Sequence, residues 1–279
     1  MKIKANAKIN FSLGICGKRE DGYHLVDTVM HSVDLFDEIE IEKADEITVI
    51  CDKGDIPQNE NIAFKAAKLF FEECGISSGV QIKISKNIPT SAGLGGGSAD
   101  AAAVLLGLDS LYNTDLSYEK LCEIAVKLGA DVPFFIKGGC ERAQGIGEIL
   151  TDCKPLKKGY VLLAKADKKP STKEMYRLID QKETVFPNTQ NVIDAIESND
   201  LEKLCDNLYN AFETVWNESS LKQRLSELSP LAVSLTGSGP TFFALFDSYE
   251  KAKSAYDILN NENITCFIAT PQEKAIIFE

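Results

Sequence analysis

Apolar and polar positions alternate over residues 2–16, 25–43, 47–51 and 79–86, the period of strands with one face turned to a core. Residues 60–74 instead carry the spacing of an amphipathic helix. Helical patterns follow over 98–112 and 117–128, the second with Gly129 as its candidate C-cap, and β-rich sequence is expected from Phe134 to about Leu150. After Cys153-Lys154-Pro155 the pattern changes. A strand is expected at 160–166 and helices at 172–181, 190–197, 201–216 and 219–227. A strand (231–236), a strand (241–246), a helix (249–260) and a strand (264–269) close the chain. The fold class is α+β, with an N-terminal α/β domain over 1–152 and a C-terminal ferredoxin-like α/β domain with extra helices over 153–279. A cleft between the domains is the natural place for a ligand.

Length supports two domains, because 279 residues is long for a single core. With 44% hydrophobic and 26% charged residues the chain has the balance of a folded soluble protein rather than a disordered one. The eight cysteines, at 16, 51, 74, 122, 140, 153, 205 and 266, form no Cys-x-x-Cys pair and sit mostly in apolar runs, as reduced core cysteines do. Only two histidines, His24 and His31, accompany them, so a zinc site has little material. The opening Met-Lys-Ile-Lys-Ala-Asn lacks the apolar stretch of a signal peptide, and the longest apolar run is too short to span a bilayer. A cytoplasmic protein without a membrane partner is expected, acting as a monomer or weak homodimer. A net charge of −12 argues against a broad nucleic-acid surface, so any phosphate must be held locally.

Residues Pro89, Thr90, Ser91, Ala92, Gly93, Leu94, Gly95, Gly96, Gly97, Ser98 and Ala99 provide such a place. Glycines let backbone amides approach an anion, and the apolar helical run that follows supplies unpaired N–H groups and a favourable dipole. The loop proposes nucleotide binding, although a tight turn before a buried helix would also explain a glycine cluster taken alone. A P-loop is excluded because no lysine follows Gly97, and a dinucleotide fingerprint because Ser98 stands where its third glycine belongs. Further segments carry polar chemistry. Alternation in Asn6-Ala7-Lys8-Ile9-Asn10 points Lys8 and Asn10 to one face, which also suits an edge strand. Asp21-Gly22-Tyr23-His24 reads as a turn bearing an aromatic ring and an imidazole. Asp131 lies in Gly129-Ala130-Asp131-Val132-Pro133, just beyond a helix and before an apolar strand, where a turn acid is also common. Leu235-Thr236-Gly237-Ser238-Gly239-Pro240 is a second small glycine loop or a β-turn.

Taken together, these segments resemble the GHMP kinase superfamily over nearly the whole chain. Pro89 to Ser98 and Thr236-Gly237-Ser238-Gly239 carry that likeness. Ala7-Lys8-Ile9-Asn10, Gly22-Tyr23-His24 and Gly129-Ala130-Asp131-Val132-Pro133 narrow it to the branch acting on a cytidine-diphosphate-linked methylerythritol. The resemblance implies transfer of the ATP γ-phosphate to the 2-hydroxyl of that small molecule, on the non-mevalonate route to isoprenoid precursors. Asp131 would be the general base and Lys8 would stabilise the transferring phosphoryl group. Asn10 would orient the hydroxyl or phosphate. By the same comparison Tyr23 stacks or packs and His24 hydrogen-bonds to the cytosine, with Thr172 and Tyr176 on the substrate side. Asn61 and Lys86 join the loop from Pro89 to Ala99 as ATP contacts. Magnesium would arrive with ATP, with Ser98 able to offer a hydroxyl and no metal site among carboxylates evident. Another kinase of the superfamily, acting on a small alcohol or phosphorylated sugar, and a nucleotide-binding regulator without catalysis are the competing readings. Gly22-Tyr23-His24 separates the first, and Lys8 with Asp131 the second.

Overall fold

Two long antiparallel strands, β1 (Lys2–Lys18) and β2 (His24–Ala44), form the hairpin around which the first sheet assembles in the computed structural model, which describes residues 1–53, 56–182, 185–216 and 220–279. Onto it are built β3 (Thr48–Cys51), α1 (Ile62–Cys74), β4 (Gly79–Ser85), α2 (Gly96–Tyr112), α3 (Tyr118–Val126), α4 (Val132–Lys137), β5 (Cys140–Gln144) and β6 (Ile149–Cys153). The second half follows with β7 (Tyr160–Lys165), α5 (Thr172–Ile179), α6 (Thr189–Glu197), α7 (Leu201–Asn207), β8 (Tyr209–Asn210) and α8 (Ser220–Glu227). It closes with β9 (Ala232–Leu235), β10 (Thr241–Phe246), α9 (Tyr249–Asn261), β11 (Cys266–Ala269) and β12 (Ile276–Phe278).

The first sheet runs β12-β1-β2-β4-β3, with β5 added beside β2, β6 beside β5 and β8 beside β1; the second runs β11-β7-β10-β9. In chain order that second sheet is fourth-first-third-second, all antiparallel, the ferredoxin-like arrangement expected from the sequence. The final strand, β12, crosses back to pair with β1.

Helices α1 to α4 cover one face of the first sheet, where Ile3, Ile39, Ile82, Phe70, Leu105 and Phe134 share a core. The other face meets the second sheet through Ile9, Phe11, Val161 and Phe243, with Phe11 edge-on to Phe243 at 5.9 Å between ring centres. A register shift between Asn6 and Ala7 decides what β1 offers to each side. Before it, Ile3 and Ala5 face the helices; after it, Ala7, Ile9 and Phe11 face the second sheet, so Lys8 and Asn10 turn to the helix side. A bulge thus aims two polar side chains at the start of α2.

Three expectations are corrected. Residues 132–137 form a helix rather than a strand, so Asp131 is the N-cap of α4, with Pro133 in its first turn where a missing N–H costs nothing. The helix expected over 201–216 stops at Asn207, because Tyr209 and Asn210 pair with Ser12 and Leu13 of β1. Helix α3 ends at Val126 with Lys127 as its cap, so Gly129 is not the cap residue. Residue 219, where another helix was expected to start, lies outside the described residues; α8 begins at Ser220. All eight cysteines are free thiols. Among the described residues no group of three or more potential metal ligands occurs, and no helix is long and apolar enough to cross a membrane. His31 is a buried cross-link: it hydrogen-bonds the Ser32 carbonyl through Nδ1 and accepts from the Leu156 N–H, and burial pushes its pKa down to about 4.

Glu141 on β5 is 1% exposed, and among the described residues neither carboxylate oxygen makes a well-formed hydrogen bond. Burial pushes its pKa up to about 8. The folded state therefore keeps a proton that the unfolded chain releases in the ordinary carboxylate range, and the stability this provides is lost as pH rises toward and through 8. Between about pH 5.5 and 7 the slope from this group should approach roughly 1.4 kcal/mol per pH unit. Glu141→Gln should flatten it in urea titrations across that range; an unchanged slope would assign the pH dependence to other groups.

Candidate active site

The first glycine loop is held against β1 by the Lys8 N–H, which donates to the Leu94 carbonyl at 2.9 Å. Gly95 is the N-cap of α2 in a left-handed conformation (φ 73°), and a Cβ there would lie 2.6 Å from the Phe135 ring. No side chain caps this helix. Among the described residues no protein acceptor meets the N–H groups of Gly96, Gly97 and Ser98, leaving an anion-binding helix start at the floor of a cavity of about 420 Å³. That cavity gathers Pro89, Thr90, Ser91, Ala92, Gly93, Leu94, Gly95, Gly96, Gly97 and Ser98 with Asn61, Lys86 and Lys53. Ala99 is buried beneath it. Asn61 also caps α1, accepting from the Ala63 N–H at 2.9 Å.

A second cavity of about 220 Å³ opens on the other side of Gly93 and Gly95. It brings together Lys8, Asn10, Asp131, Thr172, Tyr176, Gly237 and Ser238, residues from both halves of the chain. The Lys8 ammonium lies 3.5 Å from the Asp131 carboxylate and 2.8 Å from Asn10 Oδ1. Although Asp131 occupies the N-cap of α4, its side chain makes no capping bond and stays open to the cavity. Asn10 is held by the protein: Oδ1 accepts from Lys8 and from the Gly237 N–H at 2.9 Å, while one Nδ2 hydrogen is donated to Thr28 Oγ1 at 2.8 Å. Its position was legible from the alternation along β1, but its bonds are internal.

Lys86 is likewise committed. Its buried ammonium contacts Asp37 and, at 2.7 Å, Asp100. Burial opposes its charge, yet the two carboxylates outweigh that and hold its pKa above the ordinary lysine value. Burial pushes the Asp100 pKa up against the pull of Lys86, and its Oδ1 has no partner among the described residues.

The outer cleft, about 740 Å³, is lined by Tyr23, His24, Asp131, Lys173, Tyr176 and Asp180 among others. His24 stacks on Tyr176 with ring centres 4.4 Å apart, and its Nε2 lies 2.6 Å from Asp180 Oδ1. Lys18 reaches the other oxygen of Asp180 at 2.5 Å, and hydrogen bonds from Lys18 and His24 lower the Asp180 pKa. Tyr23 is 60% exposed at the rim. Thr172 shares a hydroxyl–hydroxyl bond with Ser238 at 2.9 Å. Sequence reasoning missed Asp180, Asp37, Asp100 and Lys169; each reaches the site through contacts distant in sequence, and only Lys169, in Lys168-Lys169-Pro170, stands in a conspicuous local pattern.

A helix start built for phosphate, an open lysine–carboxylate pair beside it and two sheets meeting across both define a small-molecule kinase of the GHMP class. Residues 61–139 match the GHMP kinases N terminal domain and residues 192–265 the GHMP kinases C terminal domain. A 4-diphosphocytidyl-2-C-methyl-D-erythritol kinase of Clostridium beijerinckii is 44% identical over 96% of this chain and 99% of its own length. One of Clostridium tetani is 45% identical over 92% of this chain and 94% of its own. A crystal structure of 4-(cytidine 5'-diphospho)-2C-methyl-D-erythritol kinase superposes with a TM-score of 0.83 at 30% identity, covering 97% of this chain and 99% of that one. The chain belongs to the family of 4-diphosphocytidyl-2-C-methyl-D-erythritol kinases. Homoserine kinase from Cytophaga hutchinsonii, at 19% identity and a TM-score of 0.75, shares the fold.

Lys86→Met should leave Asp37 and Asp100 buried without their cation and destabilise the protein by about 3–5 kcal/mol, measurable by urea denaturation. A smaller loss would mean that one carboxylate takes up a proton cheaply. Gly93→Ala forces a side chain into a left-handed backbone (φ 79°) with its Cβ 2.4 Å from the Thr236 carbonyl, so it should weaken nucleotide binding at least tenfold by parting the two loops. Unchanged nucleotide affinity by calorimetry would show that the loops act separately.

Proposed function

We propose that this chain transfers the γ-phosphate of ATP to the 2-hydroxyl of 4-diphosphocytidyl-2-C-methyl-D-erythritol, in the non-mevalonate route to isoprenoid precursors. The observation carrying this reading is the Lys8–Asp131 pair, 3.5 Å apart at the junction of the glycine-loop cavity and the outer cleft. ATP would lie with its phosphates over the N–H groups of Gly96, Gly97 and Ser98 and its base toward Asn61. The acceptor hydroxyl oxygen attacks the γ-phosphorus, the bond to the β-bridging oxygen breaks, ADP departs and the hydroxyl proton passes to Asp131. Lys8 stabilises the charge on the moving phosphoryl group.

Asn10 serves this chemistry by placement, holding the Lys8 ammonium and the Gly237 backbone in one arrangement. Lys86, saturated by two acids, acts as a charged strut under the nucleotide cavity rather than as a free phosphate ligand. In this reading the cytosine is taken by Tyr23, His24 and Tyr176, with Thr172 near the diphosphate. No base fits between His24 and Tyr176 at their present separation, so cytosine stacks on an outer face or displaces the imidazole. Magnesium belongs to the same proposal. The described residues offer no three-ligand cage, while the Ser98 hydroxyl beside the loop is an oxygen that fits a cation carried mainly by phosphates. When bound, it neutralises the charge of the triphosphate. A cytoplasmic location, and action without a nucleic-acid or membrane partner, complete the reading.

Purified protein should phosphorylate 4-diphosphocytidyl-2-C-methyl-D-erythritol, but not mevalonate, homoserine or galactose, with phosphorus NMR placing the new group on the 2-oxygen. Turnover of another alcohol instead would keep the kinase and discard this acceptor. Asp131→Asn and Lys8→Ala should each lower kcat by at least roughly 10²-fold while sparing ATP binding. His24→Ala should chiefly raise the acceptor KM, and an unaltered KM would move the cytosine elsewhere.

A further inference from the structure

Lys8, Lys18 and Lys86 each face a carboxylate; among the described residues Lys169 does not. It lies in the segment between β7 and α5, half-buried, and its ammonium meets only neutral oxygens: Ser238 Oγ at 2.9 Å, the Ser238 carbonyl at 3.1 Å and Thr172 Oγ1 at 3.2 Å. Burial lowers its pKa without any acid to compensate. A cation partly removed from water and left without a counter-ion is unfavourable unless something anionic completes it.

The surroundings are suited to an anion. The Thr172 and Ser238 hydroxyls bond to each other at 2.9 Å and line the cavity that holds Lys8 and Asp131. The Ser238 N–H has no protein acceptor among the described residues. The Lys169 ammonium thus holds, from behind, the two hydroxyls that the second glycine loop and α5 present to this cavity.

We propose that Lys169, with Thr172 and Ser238, binds a phosphoryl oxygen of a substrate and so contributes affinity at the second glycine loop. The two possible sources are the diphosphate of the acceptor and the terminal phosphates of ATP. Assignment to the acceptor rests on the reading given under Proposed function, whereas the anion site itself does not.

The test compares Lys169→Gln, which keeps a donor but removes the charge, with Lys169→Arg, which keeps the charge. Loss of one charge-assisted contact at a partly exposed position should weaken binding of inorganic pyrophosphate to the free enzyme by roughly tenfold in the glutamine variant, with the arginine variant recovering most of it. In turnover, a comparable rise in the acceptor KM with kcat within about threefold would assign the site to the acceptor diphosphate, and a rise in the ATP KM would assign it to the nucleotide. If wild-type protein fails to phosphorylate the cytidine-linked acceptor, the pyrophosphate comparison still decides the anion site. Unchanged pyrophosphate affinity and unchanged KM values in the glutamine variant would overturn the proposal, as would an arginine variant impaired to the same degree. A fall in Tm alone would leave Lys169 a strut for the loop.

Discussion

The site depends on one buried amide. Asn10 is 2% exposed, and a side-chain carbonyl and NH₂ group in such a place are costly unless paired. The pairing joins distant parts of the chain: Lys8 from the same strand, Thr28 from β2 and Gly237 from the second glycine loop. The Asn10 backbone adds a bond to Thr236 Oγ1 at 3.1 Å. Satisfying this single residue fixes where the second loop sits against β1. Since Thr236 and Gly239 carbonyls press on Gly93, it also fixes the first loop. The shape of the cavity that holds Lys8 and Asp131 follows from these contacts rather than from either loop alone.

The charged groups divide by what they leave free. Around Lys86 two carboxylates close on one ammonium, all three residues under 10% exposed. Such a cluster is hard to break and has little left for a ligand. Around Asp131 the balance is reversed: its side chain is 41% exposed, caps no helix N–H and reaches Lys8 only at the long distance of 3.5 Å. A loosely held carboxylate facing a cavity can exchange partners as a substrate enters. The tight cluster lies beside the loop, and the loose pair keeps an exposed carboxylate next to its cation.

Most of this was legible because it is local. Alternation along β1, the run of glycines and the strand–strand–helix–strand close of the chain carry their signals within a few residues. Helix α4 was misread because Val132-Pro-Phe-Phe-Ile-Lys137 is apolar at nearly every position, and a short continuous run buried on all sides has no period to distinguish helix from strand. Pro133 was the signal, since proline suits a first helical turn and resists a central strand. The early end of α7 could not be read: Tyr209 and Asn210 are extended because β1, nearly two hundred residues away, offers them pairing partners. Asp180 was hidden in the same way, as an ordinary acid after a helix until His24 and Lys18 arrive from the opening hairpin.

The acidic balance of the chain gives its cleft lysines their meaning. A protein of net charge −12 has a long-range field that disfavours ATP and a diphosphate alike, so affinity must come from cations at contact distance in places of reduced dielectric. Many lysines on this surface are neutralised by neighbouring acids and add little. Around the glycine loops the picture is mixed: Lys8 and Lys86 keep carboxylate partners, whereas among the described residues Lys53 beside the nucleotide cavity reaches the Lys86 carbonyl at 2.6 Å and Lys169 by the second loop meets neutral oxygens. Lysines with no carboxylate partner among the described residues thus stand beside both glycine loops, so an acidic chain still presents positive charge at contact distance from its nucleotide cavity.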